Sequence, residues 1–221
     1  MVMLVVLSGV IFTFMGKKTS DSGPLPTSIN KIDSSKNGAL LAGSVTKEND
    51  YGIVFNAGAT PKIDIFEDFQ CPFCMHFEKA MSSYLEDLAR TKQAQVVYHM
   101  VSFIGPDSVR AANAANCAVD QGRFIEYHRA LYDIQGAENS GIYSNANLIE
   151  VGKRLGITDS AFASCVNSNK YKDVVTNVAN SMSKYNVNGT PTVFINGKVW
   201  NRSGAEFVLD EFKAAVEAAK K

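Results

Sequence analysis

The chain lacks a surplus of charge of either sign. It has 22 Lys and Arg residues against 22 Asp and Glu residues, so its formal net charge at pH 7 is zero. No run of one sign is long enough to form an electrostatic docking surface. Proteins that hold a phosphate backbone usually carry a basic excess. The composition therefore predicts that nucleic acid is not a partner.

Histidine and cysteine are also scarce, with three and four residues. A structural zinc site needs four ligands, which typically come as two closely spaced pairs. Only Cys71 and Cys74 form such a pair. The other candidates are isolated along the chain: Cys117, Cys165, His76, His99 and His128. We therefore expect no metal site and no organic cofactor.

Long apolar runs are absent except at the start of the chain. Residues 2–15 are almost wholly apolar, and a stretch rich in Ser, Gly, Pro and Asn follows up to about residue 49. The run is short for a membrane span, which needs about 20 residues, and it has no basic segment before it and no clear cleavage site. We predict an export signal or membrane anchor at residues 1–16, a flexible linker at 17–49 and one domain at 50–221. A buried helix of the domain is the alternative for the apolar run.

The hydrophobic pattern after residue 50 predicts a β-α-β unit. Residues 51–56 and 62–69 are predicted strands, residues 73–89 carry one apolar helical face, and residues 95–104 form the next strand. A strand, a helix and a strand in this order imply a parallel pair with a right-handed crossover.

The second half of the chain predicts a helical block and then a hairpin. The helices are expected at residues 107–121, 124–134, 145–155, 158–167 and 171–185. A hairpin over 192–200 turns at Asn196-Gly197, and an amphipathic helix over 206–220 closes the chain. This order predicts an α/β protein with a thioredoxin fold and a helical insertion at about 106–186.

The residues with the clearest chemistry are Cys71, Pro72, Phe73 and Cys74, where a strand gives way to a helix. A thiol at a helix start meets unpaired backbone N–H groups and the positive end of the helix dipole, which both favour thiolate. Cys71 comes first and is the expected nucleophile, while Cys74, about one turn inside, is the expected resolving thiol. Pro72 suits the first helical turn, and Phe73 offers an apolar contact surface. An inert structural disulfide is the alternative.

A second motif, Gly189-Thr190-Pro191-Thr192, precedes the strand of the hairpin. This loop is a good place for a cis peptide bond at Pro191, although only a minority of X-Pro bonds are cis. A trans turn proline is at least as probable from these residues alone. The loop leaves backbone groups free to pair with a substrate strand.

Together the two motifs resemble a known family. Residues 66–74 (Phe-Glu-Asp-Phe-Gln-Cys-Pro-Phe-Cys) and 189–197 (Gly-Thr-Pro-Thr-Val-Phe-Ile-Asn-Gly) are similar to DsbA-like thiol:disulfide oxidoreductases, particularly the exported type of Gram-positive and actinobacterial cells. The resemblance implies that Cys71 attacks, Cys74 resolves and a cis Pro191 faces them. Pro72, Phe73 and Thr190 are the expected substrate-binding residues.

The resemblance also implies partners. Such proteins oxidise reduced, unfolded exported polypeptides and are reoxidised by a membrane quinone-linked thiol oxidase, either DsbB-like or vitamin K epoxide reductase-like. We expect an extracytoplasmic monomer, secreted or membrane-tethered. The family also suggests a structural disulfide between Cys117 and Cys165, which would stabilise the fold by about 4 kcal/mol. Two buried free thiols are the alternative.

The chain departs from the family pattern near Cys71. Phe73 stands where relatives carry His, which is expected to lower the oxidising power. Ile65 occupies the position, six residues before Cys71, where related folds carry a buried acid. The acids nearby, Asp64, Glu67 and Asp68, are predicted to be solvated charges at a strand end, and His76 is predicted to be a surface histidine without a catalytic role.

The sequence thus predicts an exported thiol:disulfide oxidoreductase, a dithiol oxidase in the first instance. Two alternatives stay open at this point. One is a reductase or isomerase of the same fold, because relative thiolate stability sets the redox direction. The other is a non-catalytic chaperone or binding module, in which Cys71 would have an ordinary pKa.

Overall fold

A computed structural model describes residues 26–32, 35 and 37–220 of the chain. The predicted signal or anchor at residues 1–16 lies outside the described residues, as does most of the predicted linker before residue 37. Within the part of the chain that the structure describes, no helix is both long and apolar enough to cross a membrane.

A six-stranded mixed sheet organises the domain. Its strands are β1 (Ser44–Val45), β2 (Ile53–Phe55), β3 (Lys62–Glu67), β4 (Gln95–Met100), β5 (Thr192–Ile195) and β6 (Lys198–Val199). The order across the sheet is β1-β2-β4-β3-β5-β6. The central strands β3 and β4 are parallel, whereas β5 runs antiparallel to β3, with Ile65 opposite both Tyr98 and Val193.

Eight α-helices accompany the sheet in the described residues. They are α1 (Thr27–Asn30), α2 (Pro72–Arg90), α3 (Pro106–Val119), α4 (Phe124–Asp133), α5 (Asn145–Arg154), α6 (Ser160–Ser168), α7 (Lys172–Lys184) and α8 (Leu209–Ala218). Helix α2 connects the parallel strands, and α3 to α7 lie between β4 and the hairpin of β5 and β6. The predicted thioredoxin fold with a helical insertion is confirmed.

The two faces of β3 enter different cores, because side chains alternate along a strand. Ile63 and Ile65 are fully buried in the larger core, which contains α2 and α4. Phe66 points to the other face and packs with Val178 of α7 and Phe194 of β5. Residues of odd number on β3 therefore face the helix that carries the two cysteines.

The strands end earlier than the sequence predicts. The predictions ran to residues 69 and 104, whereas β3 ends at Glu67 and β4 at Met100. The buried carboxylate of Asp68 accepts hydrogen bonds from the backbone N–H groups of Phe103 and Ile104 at 3.1 and 3.2 Å. These groups are therefore satisfied by a side chain and not by a sheet ladder.

The described part of the predicted linker, from Asn37 on, lies against the domain. Strand β1 pairs with β2, the Asn37 side-chain amide donates to the Leu155 carbonyl at 2.8 Å, and Arg123 donates to the Gly38 carbonyl at 2.9 Å. Ile29, further upstream, is fully buried. Residues of the 37–49 segment therefore contact the domain at several points. The partners that hold this polar segment are distant in sequence, so its composition does not reveal them.

Candidate active site

Cys71 occupies the N-cap position of α2, directly after the loop that follows β3. Its backbone is extended, and Pro72 takes the first helical position. The loop is fixed from the helical insertion. The Gln135 side-chain amide donates to the carbonyls of Phe69 and Cys71 at 2.6 and 3.1 Å, and the Tyr143 hydroxyl donates to the Phe69 carbonyl at 3.1 Å. Insertion and central sheet therefore position the first cysteine jointly.

The two thiols have opposite environments. The pKa of Cys71 is lowered to about 6, mainly by a hydrogen bond from the Cys74 thiol, whereas burial acts in the opposite direction. The Thr190 side chain and the backbone N–H groups of Cys74 and Phe73 lower this pKa further. Burial is the main cause that raises the pKa of Cys74 well above its usual range, and the nearby Cys71 and Glu67 add to it. At neutral pH Cys71 is therefore a thiolate and Cys74 a thiol.

The proline loop lies directly against Cys71. The Thr190–Pro191 peptide bond is cis, and the Cys71 Sγ atom lies 3.3 Å from the Thr190 carbonyl oxygen. The fold thus brings together two motifs that are 119 residues apart. A second cis bond, Thr60–Pro61, precedes β3 and has no counterpart in the sequence predictions.

A groove of about 380 Å³ opens beside the proline loop. Its walls are formed by Phe73, Thr190, Pro191, Thr192, Val193, Val199, Trp200, Asn201, Arg202 and Phe207. Phe73 is 61% exposed and is therefore available to a bound chain. Among the predicted substrate-binding residues, Phe73 and Thr190 line this groove, whereas Pro72 lies outside its lining.

Trp200 and Phe207 belong to this groove, although the sequence suggests only that such aromatics fill the core or its edge. Both also contact the core, Trp200 against Phe212 at 4.9 Å between ring centroids and Phe207 against Phe77 at 5.4 Å. Each ring thus has one side in the core and one side in the groove. The sequence gives no signal for this, because the groove forms only when the hairpin folds next to α2.

The three acids near Cys71 are buried, so the prediction that they are solvated is wrong. Asp64 is 4% exposed, and Glu67 and Asp68 are fully buried. Asp64 lies 3.0 Å from His99 Nε2 and 2.9 Å from Lys62 Nζ. Asp68 accepts from the Ser108 hydroxyl at 2.5 Å and from backbone N–H groups. The insertion covers this strand end, which a strand considered alone cannot indicate. His76 is exposed on α2.

Glu67 takes part in a buried cluster of three groups, which we call the acid–histidine cluster: Glu67 of β3, Glu78 of α2 and His128 of α4. One ligand atom of each lies within 4.8 Å of the other two. His128 Nε2 is 3.1 Å from Glu67 Oε2, and His128 Nδ1 is 3.4 Å from Glu78 Oε2. His128 thus forms a hydrogen bond with Glu67, whereas neither oxygen of Glu78 has a hydrogen-bond partner among the described residues.

The cluster has unusual electrostatics. Burial raises the pKa of Glu67 to about 8; pairing with Glu78 opposes this rise and the Cys71 charge adds to it. Burial, followed by the negative charge of Glu67, raises the pKa of Glu78 well above its usual range. Burial lowers the pKa of His128. Sequence reasoning did not find Glu78 or His128; the available signal was a Glu within the apolar face of α2, four residues after Cys74.

The remaining cysteines lie in the insertion. Cys117 of α3 and Cys165 of α6 form a disulfide across a sequence separation of 48, with Cα atoms 5.9 Å apart. Both are buried. Because their sulfurs are bonded to each other, they cannot complete a zinc site with Cys71 and Cys74.

Comparison with known proteins agrees with this geometry. A family model described as thioredoxin matches residues 48–218. The solved structure of oxidised DsbA from Mycobacterium tuberculosis is 29% identical, with a TM-score of 0.62, and the match covers 75% of this chain and 87% of that one. The thiol:disulfide interchange protein DsbA of Buchnera aphidicola is 29% identical over 143 residues, which is 62% of this chain and 66% of that protein.

The chain therefore belongs to the thioredoxin family, and its resemblance to DsbA-like thiol:disulfide oxidoreductases is confirmed. It also matches the serine/threonine-protein kinase PknE of Mycobacterium tuberculosis, at 28% identity over 169 residues. That match covers 69% of this chain but only 30% of the kinase. The chain thus spans less than a third of the length of the first curated relatives it matches.

Proposed function

We propose that this protein is an exported thiol:disulfide oxidoreductase that acts as a dithiol oxidase on reduced, unfolded polypeptides. The observation that carries the proposal is the asymmetry of the cysteine pair: Cys71 has a pKa of about 6 and borders the groove loop, while Cys74 is buried with a raised pKa. A stabilised thiolate favours the reduced enzyme, which makes the oxidised enzyme the stronger oxidant.

The proposed reaction starts from the Cys71–Cys74 disulfide. A substrate thiolate attacks Cys71 Sγ, a mixed disulfide forms and Cys74 leaves with the electron pair. A second substrate thiolate then attacks the substrate sulfur and releases the Cys71 thiolate. The substrate gains a disulfide and loses two electrons, which the cysteine pair takes up. Backbone groups at Thr190 and the apolar wall of Phe73 and Trp200 would hold the substrate chain during the exchange.

The pKa of Cys71 allows an estimate of the redox potential. Thioredoxin has a thiolate pKa of about 7 and a potential of about −270 mV, and DsbA has about 3.5 and about −120 mV. One pKa unit is about 1.4 kcal/mol, which equals about 30 mV for this two-electron couple. The pKa of Cys71, about 6, lies between these two references. We therefore propose an oxidant stronger than thioredoxin and weaker than DsbA.

The proposal includes location and partners. Structural disulfides persist outside the cytosol, and the bond between Cys117 and Cys165 together with the apolar start of the sequence supports an extracytoplasmic protein, secreted or tethered. Continued turnover needs an electron acceptor, for which we propose a membrane quinone-linked thiol oxidase. We propose that the protein works as a monomer.

The deciding experiment is oxidation of a reduced two-cysteine peptide by the purified oxidised protein, combined with its equilibrium in glutathione buffers. Cys71→Ser should abolish peptide oxidation, whereas His76→Ala, an exposed change on the same helix, should leave it unchanged. A potential at or below about −270 mV, that of thioredoxin, would contradict the oxidase and favour a reductase. An oxidised protein that leaves the peptide reduced would favour a binding module.

A further inference from the structure

The groove beside the proline loop carries a single charge. Of the ten groove-lining residues named above, only Arg202 is charged. Arg202 is exposed and lies on the loop that leads from β6 to Phe207. Its guanidinium carbon is 4.5 Å from the centre of the Phe207 ring, which is itself part of the groove wall. The positive charge is therefore held over an aromatic surface that a bound chain would meet.

Arg202 differs from the other arginines of the chain. The chain has six arginines, and five of them form an ion pair with Asp or Glu: Arg90, Arg110, Arg123, Arg129 and Arg154. Arg202 forms neither an ion pair nor a hydrogen bond with any residue that the structure describes. A guanidinium has five N–H donors in a rigid plane that matches a carboxylate. Arg202 thus keeps its capacity to bind a carboxylate for a ligand.

The acid that reaches this loop is bound to another residue. Glu211, on α8, accepts a hydrogen bond from the backbone N–H group of Ser203 at 3.2 Å through one carboxylate oxygen. Its other oxygen accepts from the Ser203 hydroxyl. Both oxygens of Glu211 are therefore occupied by the residue next to Arg202, and not by Arg202 itself.

The position of the charge limits what it can recognise. A substrate chain that reacts with Cys71 passes the Thr190 backbone and enters the groove. An extended chain advances about 3.3 Å per residue, and its side chains alternate between two faces. An anionic side chain can therefore reach Arg202 only from certain positions near the reactive cysteine. In a polypeptide the anionic side chains are Asp and Glu.

We propose that Arg202 selects substrate chains that carry an Asp or Glu within a few residues of the reactive cysteine. This inference rests on the proposed function and names its preferred substrate class. The substrate carboxylate accepts N–H bonds from Arg202, while apolar side chains beside the cysteine pack on Phe73 and Trp200. Because the fold fixes Arg202 relative to Cys71, an acid should help on one side of the substrate cysteine and not on the other.

The expected preference is moderate. Exposed ion pairs contribute little to binding, whereas charge-assisted hydrogen bonds that lose water contribute more. Arg202 is exposed in the free protein and becomes partly covered when a chain fills the groove. We therefore expect about a three- to tenfold preference in kcat/KM, which decreases as salt is added.

The test is a competition between two reduced two-cysteine peptides that differ only by Asp or Asn at one position. This position is moved residue by residue along both sides of the first cysteine. Mass spectrometry after brief reaction with the oxidised protein gives the ratio of the two oxidised peptides, which equals the ratio of their kcat/KM values. Division by the same ratio with oxidised glutathione as the oxidant removes differences in the reactivity of the peptide cysteines.

The chain offers a matched control variant. Arg202→Gln should abolish the preference for Asp, and Arg202→Glu should reverse it in favour of a Lys peptide. Lys198 of β6 is also exposed and without an ion-pair partner in the described part of the chain. Its neighbour Val199 lines the groove, so Lys198 faces the other side of the strand. Lys198→Gln removes the same charge and should leave the preference unchanged.

Binding without chemistry gives a second readout. Trp200 is the only tryptophan of the chain and lines the groove, so its fluorescence reports on groove occupancy. The Cys71→Ser protein is titrated with the Asp and Asn peptides after both peptide cysteines have been replaced by Ser. We expect the Asp peptide to bind about three- to tenfold more tightly, and we expect Arg202→Gln in this background to remove the difference.

The two readouts separate this inference from the proposed function. Equal kcat/KM and equal affinity for the Asp and Asn peptides at every position would overturn the inference and leave the oxidase intact. A preference that survives Arg202→Gln, or that Lys198→Gln lowers equally, would also overturn it, because overall charge would then select the substrate. Tighter binding of the Asp peptide by a protein that leaves both peptides reduced would support the inference and contradict the oxidase. A protein that neither oxidises nor binds either peptide would overturn both.

Discussion

Alkylation of Cys71 offers a sharp test of its electrostatic environment if the pH is chosen correctly. With a pKa of about 6, Cys71 is about 90% thiolate at pH 7, against about 3% for an unperturbed thiol of pKa 8.5. That thirtyfold advantage is largely cancelled, because a thiolate of low pKa is a weaker nucleophile, with a Brønsted coefficient of about 0.45. Over the difference of 2.5 pKa units, the intrinsic reactivity of the thiolate falls about 13-fold. At pH 7 Cys71 therefore reacts only about twice as fast as an unperturbed thiol.

At acid pH the rates of Cys71 and of an unperturbed thiol differ much more. At pH 5.5 the thiolate fractions are about 24% and about 0.1%, so the net advantage of Cys71 rises to about twentyfold. At pH 8.5 the order reverses, and the unperturbed thiol reacts about sevenfold faster. The rate of the reduced folded protein, divided by that of the urea-unfolded protein, should therefore fall by about a hundredfold between pH 5.5 and pH 8.5. The low exposure of Cys71, 7%, slows the folded protein equally at every pH and leaves this change intact.

The measurement is the rate of iodoacetamide modification of the peptide that contains Cys71, followed by mass spectrometry from pH 5 to 9. The unfolded chain serves as the matched reference, since it contains the same residue with an ordinary pKa. Cys74, which is fully buried, should stay unmodified in the folded protein. Parallel profiles for the folded and unfolded protein, with a rate ratio that does not change with pH, would refute the assigned stabilisation of the thiolate.

Four other outcomes are expected. Replacing Cys117 and Cys165 together by Ala should lower the free energy of unfolding in urea by about 4 kcal/mol, from the chain-entropy model for a separation of 48, and a loss below about 1 kcal/mol would contradict a stabilising bridge. Phe73→His should lower the Cys71 pKa further and raise the redox potential, with Phe73→Leu as the neutral control; an unchanged potential would exclude a role for this position. The folded pKa of Glu67 is raised from 4.5 to about 8, so its contribution to stability is fully present below about pH 4.5 and lost as the pH rises to about 8; urea titrations of Glu67→Gln should be flatter over this window, and an equal slope would contradict the burial argument. Gly152→Ala would place a Cβ against the ring of Phe162 and should cost about 1 to 3 kcal/mol, whereas Gly204→Ala, with no atom within 4 Å of the added Cβ, should cost less.

The parts of the site that could be predicted are those carried by short local motifs. Cys71 and Cys74 are recognisable because their chemistry depends on a helix start that the hydrophobic pattern shows. The order of strands and helices likewise follows from periodicity. These signals depend only on residues that are close in sequence, so the fold and the family could be predicted from the sequence.

The rest of the site depends on contacts between distant segments. Glu67 resembles a solvated charge at a strand end until α4 covers it, and His128 resembles an ordinary polar residue of an amphipathic helix. Trp200 enters the groove wall only because the hairpin folds beside α2. Residues 37–49 also depend on distant partners. Strand β1 pairs with β2, and two arginines far along the chain donate hydrogen bonds to the carbonyls of Gly38 and Ala39. Composition describes such a segment as a linker because its partners lie outside the segment.

The bond between Cys117 and Cys165 has a consequence for how the protein comes into being. Cys117 is only 1% exposed, so a folded copy cannot present this pair to the Cys71–Cys74 disulfide of another molecule. The bond must form while α3 and α6 are still accessible, before the helical block closes. The newly made chain therefore needs an oxidant for Cys117 and Cys165 while it folds. Only afterwards can the folded protein act as an oxidant of other chains.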